Sequence, residues 1–158
     1  VGAGVFGFLI NPPIILYFVQ GTYTAPVHAH GALFGVYGFF GLALMLFSVR
    51  HIIKKSAWSD RMLKWSFVGM NAGLMGMLVI SLIPAGFYQF YHAVDKGMWY
   101  ARSPEITSGK VMKTLSTMRI VPDIIFYLGG IILFLFIVRG VWLSRDNLKE
   151  KLTSDKED

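Results

Sequence analysis

The strongest constraint in this chain is a run of residues, 27–53, that holds no Asp, Glu, Lys or Arg before Arg50. A helix rises about 1.5 Å per residue, so about 20 apolar residues cross the hydrocarbon core of a bilayer. The run is long enough. Three further apolar stretches accompany it: 1–19, interrupted by Asn11, Pro12 and Pro13; 65–91, with Pro84 near its far end; and 124–143, where only Arg139 intrudes. So much apolar surface exceeds what one small aqueous core can hide. Of 158 residues 54% are hydrophobic and 15% charged, with a mean hydropathy of +0.55, whereas soluble domains carry about 25% charged residues. No stretch shows the strict alternation of a barrel strand. The sequence therefore predicts an all-α, polytopic transmembrane helix bundle of four helices, the first of them clipped and kinked or broken at Asn11–Pro13.

Val1 is not a start Met, and the chain opens inside an apolar run without the basic segment and small-residue cleavage site of a signal peptide. We read residues 1–158 as the C-terminal part of a single membrane domain, with the rest of the same subunit as its partner. Residues 144–158 alternate acids and bases without aromatic residues and read as a solvated, partly disordered tail.

The charges set an orientation. The connection after the second stretch carries Arg50, Lys54, Lys55, Arg61 and Lys64 against Asp60 alone, so it is expected on the cytoplasmic side. Alternation puts Arg139, Arg145, Lys149, Lys151 and Lys156 on that side too, and the last loop, 92–123, with Lys96, Arg102, Lys110, Lys113 and Arg119, on the other. The tally is ten basic residues inside against five outside. The net charge of +6 thus reads as membrane topology, with the lipid bilayer rather than a nucleic acid as partner.

With no cysteine, thiolate metal sites, disulfides and cysteine nucleophiles are excluded. No carboxylate lies in the middle of a span, no phosphate-binding Gly loop follows a strand, and no serine sits in a nucleophile elbow. The informative residues are His28 and His30, in Ala25-Pro26-Val27-His28-Ala29-His30-Gly31. Pro26 suits a first helical turn. Positions two apart on an α-helix point about 200° apart, so the pair cannot grip one ion but can reach two different metal centres. Such a helix would tie two cofactors together for electron transfer. An ordinary reading stands beside it, in which both are hydrogen-bonded polar residues near the aqueous boundary.

Weaker signals surround the pair. Gly31, Gly35 and Gly38 fall at i, i+4 and i+7, a stripe suited either to close helix packing or to a flat cofactor. Phe34, Tyr37, Phe39 and Phe40 fit a haem pocket or plain packing. His51 reads as a solvated residue at the basic end, His92 as part of an aromatic belt, and Asp123 as a helix-start residue. Arg102 and Arg119 read as topological charges or surface pairs, with haem propionates as the alternative.

Longer motifs carry a resemblance. Gly2-Ala3-Gly4-Val5-Phe6-Gly7-Phe8-Leu9-Ile10-Asn11, Gly21-Thr22-Tyr23-Thr24 and the stretch from His28-Ala29-His30 to Tyr37-Gly38 resemble the C-terminal part of the nitric oxide reductase large subunit, in the haem-copper oxidase superfamily. Leu63-Lys64-Trp65-Ser66-Phe67 and Gly97-Met98-Trp99-Tyr100-Ala101-Arg102-Ser103 look nearer its quinol-dependent form. The resemblance implies His28 as proximal ligand of a high-spin haem b3 and His30 as an axial ligand of a low-spin haem b. It implies quinol as electron donor, nitric oxide as substrate, a non-haem iron bound by the upstream part, and a bacterial or archaeal cell (inner) membrane with the His28 and His30 end outward. Val121-Pro122-Asp123 departs from the Pro-Gly-Asp order of such relatives, which leaves Asp123 without an implied role. A haem-copper oxygen reductase or NO dismutase is the neighbouring alternative. A haem-free membrane assembly or transport protein is the alternative of another class.

Overall fold

The computed structural model describes residues 2–154, and the side chains of residues 4–145. Most of the tail expected at 144–158 lies outside those side chains. Among the described residues the chain is helical, in the order α1 (Gly2–Ile10), α2 (Pro13–Val19), α3 (Thr24–Ala29), α4 (Phe39–Arg50), α5 (Asp60–Gly76), α6 (Ile83–Lys96), α7 (Met98–Ala101), α8 (Pro104–Thr107), α9 (Lys110–Met118) and α10 (Ile120–Ser154), with no strand. Three continuous helical stretches are long and apolar enough to span a membrane: Thr24–Arg50, Asp60–Lys96 and Lys110–Arg145. They contain the third and fourth apolar stretches of the sequence and all of the second but residues 51–53. The first stretch is the broken pair α1 and α2.

Local chemistry explains the breaks. Pro12 precedes Pro13 and sits at φ −53°, ψ 133°, because the ring of a following proline pushes a residue out of the α region. Pro13 then opens α2, where its missing N–H is no loss. Gly21, at φ +72°, turns the chain between α2 and α3, a conformation glycine adopts without steric cost. At α5, Ser59 accepts a hydrogen bond from Met62 N at 3.4 Å and Asp60 occupies the first turn, a start signal with both a cap and a favourable charge.

Two spans contain π-helical segments, His30–Gly38 between α3 and α4 and Met77–Leu82 between α5 and α6. The second has an identifiable cause. Pro84 lacks an N–H and its ring crowds the carbonyl four residues back, that of Ile80, so the ladder shifts to wider turns there. The first overturns the periodicity expected around Gly31, Gly35 and Gly38. Inside a segment of i→i+5 bonds the 3.6-residue stripe lapses. Gly35 faces Leu74, and the ring of Phe34 fills the place of a Gly38 side chain.

The close glycine packing occurs between α5 and α10 instead. A Cβ on Gly73 would lie 2.5 Å from Phe126 N, one on Gly76 would lie 2.8 Å from Pro122 Cβ, and one on Gly129 would lie 2.7 Å from Met70 N. The two backbones touch where no side chain intervenes. Lipid gives helices no hydrophobic reason to associate, so this approach supplies dispersion contact that larger residues would prevent. Around it Met70, Leu133, Phe136, Ile53 and Ala57 form the buried core, with the Trp58 and Phe136 rings edge to face at 5.1 Å. At the same end Ser144 is fully buried and its Oγ accepts the Lys54 N–H at 2.8 Å. Large apolar side chains such as Phe8, Leu33, Phe47 and Trp142 point outward, as a bundle solvated by lipid requires.

The region expected as a loop, 92–123, is built instead from α7, α8 and α9. Each is only four to nine residues long, too short for hydrophobic periodicity to declare it. Met112 of α9 and Ile106 of α8 are nevertheless buried against Ala85 of α6.

The glycine contact yields a paired prediction. Gly73→Ala overpacks the α5–α10 contact and should destabilise the protein by about 1–3 kcal/mol. Gly41→Ala, at a helical position with nothing within 4 Å, should be neutral or stabilise by up to about 1 kcal/mol. Thermal unfolding in detergent micelles separates the two; equal melting temperatures would contradict the packing.

Candidate functional site

The site grows out of the short helix α3 and the π-helical segment that follows it. Pro26 is in the opening turn, and its carbonyl has no helical partner in the ordinary α pattern beyond His30 N–H. His30 places its ring nitrogen Nδ1 2.9 Å from that same Pro26 oxygen. A carbonyl can only accept, so Nδ1 carries the proton. In the neutral ring Nε2 is then a bare lone pair. Arg119 donates toward it from Nη2 at 3.4 Å, while Arg119 Nε binds both carboxylate oxygens of Asp123 at 3.1 Å.

The His30 ring looks into a cavity of about 420 Å³ lined by Phe34, Leu74, Met77, Phe126 and Tyr127, with Arg119 and Asp123 among its walls. A volume of that order falls within the range of about 300–1,000 Å³ typical of ligand sites, and the walls combine apolar surface with a few placed polar groups.

His28 lies elsewhere. Its ring packs on α1 at Gly7, where an added Cβ would stand 2.6 Å from Cε1. Its Nδ1 is buried and has no hydrogen-bond partner. Buried polar groups are rarely left so, and those that are call for an explanation. The two histidines therefore meet different neighbours, α1 for His28 and the α5, α10 side for His30. The contacts agree with the contrary directions expected from their spacing.

The remaining sequence candidates separate from this pair. His51 is exposed at the end of α4, its Nδ1 donating to Phe47 O at 2.9 Å. His92 stacks edge to face among Tyr88, Tyr91 and Tyr100 at 4.7, 5.4 and 5.8 Å. Arg102 binds the carbonyl of Gln20, and Asp123 sits in the first turn of α10 paired with Arg119. Phe34 packs against Phe39 and Phe126 at 5.3 and 4.6 Å, whereas Tyr37 and Phe40 point outward. Among the described residues no three His, Asp or Glu side chains gather as a metal cluster.

Sequence reasoning missed Gly7 as the seat of His28, the Pro26 carbonyl as the partner of His30, and the approach of Arg119. The first and last are contacts between distant segments that no local pattern announces.

Chemically, the arrangement presents two imidazoles in separate surroundings. A histidine whose Nδ1–H is tied to a backbone carbonyl has its tautomer and ring orientation set for binding a metal through Nε2. The fixed His30 tautomer and the largely apolar wall beside it suit a haem held through Nε2.

Comparison with known proteins places this geometry in a family. Among curated proteins none matches the chain. The family model described as cytochrome C and quinol oxidase polypeptide I matches residues 1–139. Fold and match agree: the chain belongs to the cytochrome c and quinol oxidase polypeptide I family, the haem-copper oxidase subunit I, and so to the membrane-embedded, haem-binding respiratory oxidoreductases.

Proposed function

We propose that this chain is the C-terminal part of a quinol-dependent nitric oxide reductase, with His28 as proximal ligand of the high-spin haem b3 and His30 as axial ligand of the low-spin haem b. The observation that carries the ligand assignment is the divergence of the two rings, one onto Gly7 of α1 and one into the cavity between α5 and α10. The motifs around Gly4-Val5-Phe6-Gly7 and Gly97-Met98-Trp99 favour the nitric oxide branch and the quinol-type donor.

When bound, the haems, together with a non-haem iron held by upstream residues, supply the electron-transfer chemistry. Quinol gives up two electrons and two protons; two NO molecules take up two electrons and two protons, and N2O and water leave. The chain's own residues position and insulate. Pro26 accepts the His30 Nδ1–H and leaves Nε2 as the nitrogen with the free lone pair, beside Arg119 at the cavity wall. Phe34, Leu74, Met77 and Phe126 give that side an apolar lining. Arg119 shares its guanidinium between His30 and Asp123 in this structure, and axial ligation by His30 requires it to release the Nε2 lone pair.

The Thr24 end of the ligand-bearing span lies opposite the basic Arg50 to Lys64 connection, so the positive-inside rule turns the haem end outward and the C-terminus toward the cytoplasm of a bacterial or archaeal cell.

Optical and EPR spectra of the full-length protein test the assignment. His30→Ala should remove the low-spin signal and leave the high-spin one; His28→Ala should do the reverse; His51→Ala should alter neither. Loss of one and the same haem in both His28 and His30 variants contradicts the assignment. Gly7→Ala, which crowds the His28 ring, should weaken the high-spin centre by about 10–100-fold in haem retention, the scale of a perturbed supporting group. Gas chromatography with quinol and NO should show N2O formation; oxygen consumption in its place identifies an oxygen reductase.

A further inference from the structure

The structure assigns Gln89 as a positioning residue that sets where the ligand-bearing helix begins. It sits in α6 in the run Phe87-Tyr88-Gln89-Phe90-Tyr91, an uncharged polar side chain among aromatics in a span. Such a residue is costly in lipid unless its amide is fully used. Here it is 2% exposed and both ends are used. Its Oε1 accepts the Tyr23 N–H at 2.7 Å, and its Nε2 donates to Ala101 O at 3.0 Å. The partners fix the orientation of the amide, because a backbone N–H can only donate and a carbonyl can only accept.

Tyr23 is the residue at the N-terminal boundary of α3, and Ala101 is the last residue of α7. One side chain therefore joins the start of the His28 and His30 helix to the turn just before Arg102. Two neighbouring contacts act on the same corner. Gly86, one turn before Gln89, lies so close to Thr24 that a Cβ would stand 2.9 Å from its Oγ1. Arg102 binds the Gln20 carbonyl across the α2–α3 connection. The corner at 20–24 is thus held from one side, and its height along α6 fixes how far His28 and His30 rise into the bundle. Pro26, whose carbonyl orients His30, is only three residues beyond Tyr23.

This inference rests on the haem-ligand reading above, and deepens it by naming what holds the ligands in place. The test compares wild type, Gln89→Leu and Gln89→Glu in the full-length protein. Leucine is close in size and breaks both hydrogen bonds. A glutamate can still accept from Tyr23 N but, ionised, cannot donate to Ala101 O. Two readouts are taken on each: amide hydrogen exchange of residues 20–30, and the EPR signature with the midpoint potential of the low-spin haem.

In Gln89→Leu the exchange at Tyr23 and the first turn of α3 should quicken at least about ten-fold, and the low-spin signal should broaden or shift with its potential. Gln89→Glu should fall between Gln89→Leu and wild type on both measures. A lowered melting temperature with unaltered exchange at 20–30 and an unaltered haem signal would overturn the assignment, since Gln89 would then be filling space only. If Gln89→Leu does not fold, Gln89→Glu decides alone: wild-type exchange and spectra in it overturn the proposal. Absence of haem from the wild type would instead contradict the ligand reading, while the exchange measurement would still decide whether Gln89 anchors the corner.

Discussion

A hydrogen bond of 2.9 Å between His30 Nδ1 and the Pro26 carbonyl ties together the backbone and the chemistry of this chain. In a bilayer no water competes for polar groups, so each one must find a partner within the protein. A helix satisfies its own backbone, but an imidazole inside it has to borrow. By taking Pro26 O, His30 ties down Nδ1 and leaves the Nε2 lone pair facing Arg119. His28, two residues earlier, has no such partner for its buried Nδ1 and is held by shape against Gly7. One helix thereby carries two imidazoles with different fixings and different outlooks.

The rest of the bundle gives that helix something rigid to stand on. α5 and α10 approach until their backbones touch at Gly73, Phe126 and Gly129, and this pair supplies Leu74 and Phe126 to the wall of the His30 cavity. The π-helical segment Met77–Leu82 follows directly and brings Met77 to the same wall. At the other end the buried Ser144 hydroxyl and the Ile53, Gly140 contact close the connection between the Thr24–Arg50 and Asp60–Lys96 spans. At the α3 end, aromatic α6 and the short helices α7 to α9 pack over the corner. Rigidity matters because an axial ligand displaced by a fraction of an ångström changes the electronics of the iron it holds.

Much of this could be read from residues alone, and the reason is physical. Length and the absence of charge are enough to find spans, because the thickness of the hydrocarbon core is a fixed ruler. The opposed directions of His28 and His30 follow from a spacing of two, which stays nearly antipodal whether the turn is of α or π width. What escaped was whatever depends on distant partners. Gly31, Gly35 and Gly38 share with Gly69, Gly73 and Gly76 the same i, i+4, i+7 spacing, yet Gly35 and Gly38 meet side chains whereas Gly69 and Gly73 meet the backbone of α10. Spacing describes a stripe; it does not say what lies opposite. The π-helical segments left no sequence period of their own, although Pro84 marked the second. Gln89 drew no notice in the sequence, because its two partners lie sixty-six and twelve residues away.

In the proposed function, two imidazoles of one helix turn serve two irons. A cryo-electron microscopy map of the haem-loaded, full-length protein tests this most directly. The expected map has two porphyrins on opposite sides of the Thr24–Arg50 span, His28 bonded to one iron and His30 Nε2 to the other, with His30 Nδ1 still on Pro26 O. A map with both rings on one porphyrin, or with neither within bonding distance of an iron, would contradict it.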